Sequence, residues 1–136
     1  LADPSRETLE KYVQHSKLRV LAQNGATVGV CVLYPHNNDL VEIKNIAVEP
    51  GAQGRGIGRL LIDDAERLAQ ANGFSRLRIG TGNSSTGQLR LYESCGFVVA
   101  EVLHDFFVNN YPEPIWENGV QCRDMVVLEM SVGRGA

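Results

Sequence analysis

A glycine-rich hexapeptide, Gln-Gly-Arg-Gly-Ile-Gly at residues 53–58, stands between an apolar, strand-like run and a long amphipathic helix pattern. Because glycine adopts backbone conformations that other residues avoid, the junction predicts a tight turn from a strand into a helix. The first turn of a helix offers unpaired N–H groups and the positive end of its dipole, which favour phosphate oxygens. Arg55 and Arg59 flank the glycines and can add charge-assisted hydrogen bonds. The junction therefore predicts a site for a phosphate- or pyrophosphate-bearing ligand.

Three phosphate-binding patterns can be compared with this turn. A nucleotide P-loop has Lys-Ser or Lys-Thr after its glycines, and neither follows residues 53–58. A dinucleotide-binding turn has G-x-G-x-x-G, but counting from Gly56 places Leu61 at the last glycine. The pattern that remains is Q-x-x-G-x-G, formed by Gln53, Gly56 and Gly58. A flexible strand-to-helix turn without a ligand stays open as the alternative.

The Q-x-x-G-x-G pattern resembles the acetyl-CoA pyrophosphate loop of the GNAT superfamily of N-acetyltransferases. A second segment, Leu-Tyr-Glu-Ser-Cys-Gly-Phe at residues 91–97, is similar to the L-Y-x-x-x-G-F segment that closes the second conserved helix of that family. The resemblance runs over residues 18–97, with both segments in the family's order. It departs at Ser85 and Gln88, where the family often has Asn and Ala, and Asn83 lies two residues upstream of the usual asparagine.

The order of apolar patterns and turns predicts an α/β fold. Strands are predicted at residues 18–23, 27–34, 40–48, 76–80, 97–108 and 122–132, with helices at residues 5–16, 56–71 and 85–96 and a loop at residues 109–119. Asn24-Gly25 predicts a hairpin turn between the first two strands. The resemblance implies the GNAT-like acyl-CoA N-acyltransferase fold, in which a mixed (α+β), mostly antiparallel twisted sheet has one parallel, splayed strand pair and flanking helices. A chain of 136 residues predicts one domain, residues 1–136.

The third predicted strand changes its apolar phase midway. Val41 and Ile43 share one phase of the alternation, whereas Ile46 and Val48 fall on the other. Such a change indicates a β-bulge, which adds one residue and redirects the strand. A strand buried on both faces is the alternative. The resemblance implies a bulge at this position, which separates the strand from its parallel neighbour and admits the acyl-pantetheine arm.

Composition excludes several classes of partner. The net charge is −3 with no basic block, which argues against nucleic acid, and no apolar run or signal-peptide pattern indicates a membrane. Three cysteines, without C-x-x-C spacing, predict reduced thiols in a cytoplasmic protein, with Cys31 buried and inert. No histidine has zinc-ligand spacing to these cysteines, so we expect no metal.

The resemblance implies two catalytic side chains. Glu42 lies on the strand before the glycine turn, at the position of the general base in glutamate-based members. Tyr92 matches the tyrosine that protonates the leaving CoA thiolate, and a phenol suits that role because it stays protonated at neutral pH. A solvent-facing glutamate and a core tyrosine are the alternatives.

The resemblance also implies the residues that bind acetyl-CoA, the expected cosubstrate. Main chain near Ala47 or Val48 is expected to donate to the oxyanion, and the whole expected cofactor-binding set is Ile46, Ala47, Val48, Gln53, Gly54, Arg55, Gly56, Ile57, Gly58, Arg59, Asn83 and Ser85. Tyr111 and Trp116 are expected to contact the acceptor amine, because aromatic rings attract cations. They could equally anchor their loop or a dimer contact.

Three functions are compatible with these residues. The first is direct transfer of an acetyl group from acetyl-CoA to a primary amine, with a small-molecule amine preferred. The second is acetylation of a lysine or an N-terminal amine of a protein. The third is a catalytically silent acyl-CoA sensor module. Glu42 and Tyr92 favour catalysis, and a homodimer is open because family members often form one.

Overall fold

A computed structural model describes residues 16–133. Within that range the strands are β1 (Lys17–Gln23), β2 (Ala26–Pro35), β3 (Leu40–Val48), β4 (Arg76–Gly82), β5 (Val98–Leu103), β6 (Ile115–Glu117), β7 (Val120–Cys122) and β8 (Met125–Ser131). The helices are α1 (Ile57–Ala71), α2 (Thr86–Ser94) and α3 (Phe106–Asn110), and a 3-10 turn spans Pro50–Ala52. The helix predicted at residues 5–16 lies outside the described residues except for its last residue.

Six strands form one sheet in the order β1-β2-β3-β4-β8-β5, and β6 and β7 form a separate pair. The sheet is mixed, with one parallel pair, and helices flank it, so the predicted fold class is confirmed. The splay of the parallel pair stays a prediction. The described chain divides into two compact units, the first containing residues 16–77 and 131–133 and the second residues 78–130. A single catalytic domain over residues 1–136 stays a prediction.

The described part of the first unit begins with the predicted hairpin. Asn24 and Gly25 have φ angles of 52° and 80°, which is the left-handed backbone that a two-residue hairpin turn requires. β1 and β2 pair antiparallel on either side of this turn. The Asn-Gly dipeptide therefore sets the position of the hairpin, as predicted.

The predicted bulge is present in β3. Val32 of β2 pairs with Asn45, whereas the next residue, Leu33, pairs with Ile43, so Lys44 is the extra residue. Glu42 precedes the bulge and the apolar phase changes after it, which confirms the interpretation of the alternation.

Helix α1 packs one apolar stripe into the core of the first unit. Its buried residues recur at helical spacing: Ile57, Leu61, Ile62, Ala65 and Ala69. Leu60 lies outside this stripe and is 50% exposed. The buried stripe fixes the first turn of the helix, and with it the glycine turn that precedes the helix.

The second unit differs from the prediction in two segments. The strand predicted at residues 97–108 is shorter in the structure. It stops at the end of β5 and α3 follows, because Asp105 has a φ of 57° that breaks the extended run. The loop predicted at residues 109–119 instead contains β6 and the turn of the β6–β7 hairpin. Asn118 and Gly119 form that turn with φ angles of 52° and 77°.

Candidate active site

The glycine turn leaves the beginning of α1 open. Gly54 and Gly56 have φ angles of 80° and 77°, which side chains disfavour, and a Cβ atom at either position would meet nothing within 4 Å. Gly56 is the N-cap of α1, no side chain caps the helix, and its first turn contains no acidic residue. Uncapped N–H groups at a helix start attract anions, so the turn has the geometry of an anion site.

Two cations stand beside this turn. Arg55 lies within it and Arg59 lies in the first turn of α1, and both side chains are exposed. Guanidinium groups bind phosphate oxygens through paired hydrogen bonds. The turn therefore combines an open backbone, a helix dipole and two arginines, which fits a diphosphate such as that of coenzyme A.

Strand β2 supports the segment that leads into the turn. The N–H of Glu49 donates to the carbonyl of Val28 at 2.8 Å, and Ala52 of the 3-10 turn is 2% exposed. The side-chain amide of Gln53 donates to the carbonyl of Val48 at 3.4 Å. Gln53 thus links the turn to Val48 at the end of β3. Gln53 and Val48 both belong to the predicted cofactor-binding set.

Gly29 of β2 is a residue that the sequence interpretation missed. A Cβ atom at this position would lie 2.9 Å from Leu61 Cδ1 and 3.1 Å from Ile57 Cγ2. Its missing side chain lets the first two turns of α1 approach the sheet. A glycine inside a strand pattern often marks such a close approach, and that signal was present at Gly29.

Glu42 lies on β3 in contact with two basic side chains. Its Oε1 is 2.6 Å from His36 Nε2 and 3.5 Å from Lys44 Nζ. The Glu42 side chain is 12% exposed, which places the carboxylate at the edge of the core rather than in open solvent. The structure therefore gives Glu42 specific partners, although its predicted role as the base stays a prediction.

His36 is the second residue that the sequence interpretation missed. It follows β2 directly, and Tyr34 pairs with Glu42 across the β2–β3 ladder. The His36 ring lies edge-on to the Tyr34 ring, with 5.1 Å between centroids, and Lys44 Nζ lies 5.9 Å from the centroid of the Tyr34 ring. The short connection between β2 and β3 was the available signal, because it returns residue 36 to the neighbourhood of residue 42.

The strand segment predicted to bind pantetheine pairs with β2 on one side. Ile46, Ala47 and Val48 are half-buried and lie opposite Cys31, Val30 and Gly29. Their predicted contacts to pantetheine and to the oxyanion stay predictions.

In the second unit, Tyr92 lies on α2 and is 3% exposed. Its ring meets the ring of Phe97 edge-on, with 6.1 Å between centroids. Gly96 has a φ of 107° and ends this segment, as the motif predicted. The aromatic contact fixes the ring of Tyr92, and its predicted role as the acid stays a prediction.

Asn83 and Ser85 precede α2, and both make structural hydrogen bonds. Asn83 Oδ1 accepts from the N–H groups of Arg123 and Asp124 at 2.8 Å and 2.9 Å, and its Nδ2 donates to the Gln121 carbonyl at 3.3 Å. The hydroxyl of Ser85 donates to Glu117 at 2.6 Å. Both side chains thus join α2 to the β6–β7 hairpin region, and their predicted contacts to the cosubstrate stay predictions.

The two aromatic residues predicted at the acceptor side differ in exposure. Tyr111 is half-buried and stacks on Phe107, with 5.7 Å between ring centroids. Trp116 lies on β6 and is 64% exposed. Trp116 adjoins Glu117, the residue that binds Ser85, so a solvent-facing indole and a carboxylate lie on the same hairpin.

Two further electrostatic features stand outside the predicted set. Hydrogen bonds from Arg19 hold the pKa of Asp64 on α1 below its usual value, with both pairs of atoms at 2.8 Å. Burial raises the pKa of the Cys31 thiol to about 12, and burial also raises the pKa of Cys122. Within residues 16–133, no group of three His, Cys, Asp or Glu side chains could hold a metal ion. No helix in the same range is long and apolar enough to span a membrane.

The model of the acetyltransferase (GNAT) family matches residues 2–97. The chain belongs to this family. A Bacillus subtilis (strain 168) protein, "Uncharacterized N-acetyltransferase YvbK", is 42% identical over 132 residues, which cover 97% of this chain and 85% of that protein.

Two solved structures of acetyltransferases are similar to this chain over most of their length. A GNAT family acetyltransferase from Elizabethkingia anophelis with acetyl-CoA bound is 46% identical, with a TM-score of 0.94 over 96% of this chain and 85% of that one. An IAA acetyltransferase from Bacillus cereus ATCC 14579 is 45% identical, with a TM-score of 0.92 over 96% of this chain and 87% of that one. Membership of the GNAT family and the class of acetyltransferase are thus confirmed. The acceptor, a homodimer and a cytoplasmic location stay predictions.

Proposed function

We propose that this GNAT protein transfers an acetyl group from acetyl-CoA to a primary amine of a small molecule. The observation that carries the proposal is the uncapped start of α1 at Gly56, with open space at the glycines and Arg55 beside them. A diphosphate satisfies those N–H groups and arginines together. Acetyl-CoA bound to a 46% identical relative supports the identity of the cosubstrate.

Residue roles follow from the chemistry of an already activated thioester. Glu42 takes one proton from the acceptor ammonium, which makes the nitrogen nucleophilic. The nitrogen attacks the thioester carbonyl, main-chain N–H groups near Ala47 or Val48 stabilise the oxyanion, and the C–S bond breaks. Tyr92 gives its phenolic proton to the thiolate. A second proton from the former amine restores the phenol, so the products are an amide, CoA thiol and a protonated Glu42.

A small acceptor is supported by the exposed indole of Trp116 on β6, because an aromatic face attracts a compact cation. A relative with 45% identity is named an IAA acetyltransferase, and this name does not mention a protein substrate.

The test is a panel of small amines and lysine-containing peptides, incubated with acetyl-CoA and analysed by mass spectrometry for acetylated product. We expect products among the small amines. With the best of them, Glu42→Gln should lower kcat about a hundredfold or more, the usual contribution of a general base. Tyr92→Phe should lower kcat while the affinity for acetyl-CoA is retained.

Each other outcome contradicts one part of the proposal. Acetylation confined to peptides would contradict the small acceptor. Tight binding of acetyl-CoA without product from any amine or peptide would favour the sensor module. Full activity of Glu42→Gln would contradict the assignment of the base.

A further inference from the structure

Two basic side chains approach the same oxygen of the Glu42 carboxylate. His36 Nε2 lies 2.6 Å from Oε1, and Lys44 Nζ lies 3.5 Å from the same oxygen. A carboxylate anchored through one oxygen has a fixed orientation and still has a second oxygen that can accept a proton.

The turn that carries His36 is itself held in place. Oδ1 of Asn37 accepts hydrogen bonds from the N–H groups of Asp39 and Leu40, both at 2.8 Å. The N–H of His36 donates to the carbonyl of Leu40 at 2.9 Å, and the carbonyl of Asp39 accepts from the backbone N–H of Arg76 at 3.0 Å. Four hydrogen bonds therefore fix the backbone next to the imidazole, so the contact with Glu42 does not depend on a loose loop.

Among residues 16–133, the side chains of Lys44 on β3 and Tyr34 on β2 lie against the His36–Glu42 pair. Lysine and tyrosine ordinarily keep their charge between pH 5 and 8, whereas imidazole ordinarily changes charge in that range. His36 is 29% exposed in its side chain, so water can exchange protons with it.

We propose that His36 is a positioning residue for Glu42 and that its charge controls proton uptake by that carboxylate. This proposal rests on the proposed function, in which Glu42 is the base. With a neutral imidazole, Nε2–H donates to Oε1, and Oε2 takes the proton of the acceptor ammonium. When Nδ1 takes a proton from water, the imidazolium places a full positive charge 2.6 Å from the carboxylate. A cation at that distance opposes protonation of the carboxylate and slows the transfer.

The test compares pH profiles of kcat/KM for the wild type, His36→Gln and His36→Ala with one acceptor amine. The ratio of variant to wild type cancels the titration of the acceptor, because all three enzymes use the same amine. Gln retains an N–H donor but does not take up a proton between pH 5 and 8. We expect the ratio for His36→Gln to rise by about threefold between pH 8 and pH 5.5, since only the wild type gains the opposing charge.

Orientation is tested by the difference between the two substitutions. At pH 8, His36→Ala should lower kcat about tenfold, as expected for a lost hydrogen bond to a charged group, and His36→Gln should restore part of that loss. His104→Gln is the matched control, because the His104 side chain is 80% exposed and its ion-pair partner is Asp124 of the second unit. The ratio for this control should stay flat with pH.

The outcomes separate this proposal from the function on which it rests. If Glu42→Gln lowers kcat as expected but the ratio for His36→Gln is flat or falls towards low pH, the role of His36 is overturned and the base is retained. If Glu42→Gln is fully active, both proposals fail. In the Glu42→Gln background, the further change His36→Gln should produce no slope in the ratio, and a persisting slope would overturn coupling through the carboxylate.

Discussion

The turn at residues 53–58 and the turn at residues 83–85 both lead from a strand into a helix, yet they use their polar groups differently. The first turn has glycines at positive φ, no capping side chain and no acidic residue in the first turn of the helix that follows. In the second turn, Asn83 makes three side-chain hydrogen bonds and Ser85 binds Glu117. The N–H groups of the first turn remain available to an anion, whereas the side chains of the second turn form hydrogen bonds with the β6–β7 region.

This difference separates two ways in which a helix start contributes to a protein. Side chains that bond within the protein, as at the second turn, add stability and are not available to a ligand. Neither helix start has a side-chain cap, but at the first turn the glycines also leave open space beside the N–H groups. We therefore expect substitutions at the first turn to change ligand affinity and substitutions at the second turn to change the free energy of unfolding.

The largest expected effect is at Gly56. Asp tolerates the positive φ of 77° and finds open space there, but it places a negative charge at the start of α1. We expect Gly56→Asp to weaken binding of acetyl-CoA about a hundredfold by repelling the diphosphate. Gly56→Asn, which has the same shape without the charge, should weaken it far less. Isothermal titration calorimetry measures both.

Gly73 provides the control for this charge. It lies just beyond the other end of α1, with a φ of 82° and open space at its Cβ position. Gly73→Asp should leave the affinity for acetyl-CoA unchanged. Equal affinities of Gly56→Asp and wild type would place the diphosphate elsewhere and remove the distinction between the two turns.

The next effect in size is expected at Asn83. Asn83→Ala leaves the N–H groups of Arg123 and Asp124 without their acceptor, which should lower the free energy of unfolding by about 2 kcal/mol. Urea denaturation measures this change. Asn72→Ala removes one hydrogen bond at an exposed position and should cost less. A large loss of acetyl-CoA affinity with unchanged stability would instead support the predicted ligand contact of Asn83.

The smallest effect is expected at Asp64, which ties α1 to β1 away from the glycine turn. Because Arg19 lowers the pKa of Asp64 in the folded protein, the ion pair stabilises the fold above the unfolded pKa of about 3.9. That stability is lost as the pH falls through the lowered folded pKa. Asp64→Asn should cost less than about 1 kcal/mol at pH 7, since both side chains are partly exposed.

Denaturation at several pH values checks this prediction. The difference between Asp64→Asn and wild type should be present at pH 7 and should vanish near the acid end of the titration. A difference that grows as the pH falls would have the wrong sign for a lowered pKa. The affinity for acetyl-CoA should not change, because this ion pair lies away from the start of the helix.

Local signals predicted the first unit well. Asn24-Gly25 predicted one hairpin, and the change of apolar phase between Ile43 and Ile46 predicted the bulge that the structure has at Lys44. Both signals act within a few residues, so the printed sequence carries them. The same Asn-Gly dipeptide stands at residues 118–119 in the turn of a second hairpin, where a loop was predicted.

The missed features depend on contacts between distant residues. The role of Gly29 appears only when Leu61, thirty-two positions later, packs against it. The contact of His36 with Glu42 depends on a tight turn that returns the chain beside β3. Helix α3 has five residues and follows a break at Asp105, so its apolar run looks like a continuing strand. A sequence pattern predicts where a helix or strand forms, whereas tertiary packing decides which residues contact it.

Burial of the cysteines has a practical consequence for enzymology. A colour reagent that exchanges disulfides reacts with thiolate, and a thiol with a pKa of about 12 is ionised to only about one part in ten thousand at pH 8. Cys31 therefore does not react in such an assay. Cys122 is also buried and has a raised pKa, whereas Cys95 is only half-buried. Colour that develops with turnover thus reports liberated coenzyme, and Cys95→Ser would lower the blank further.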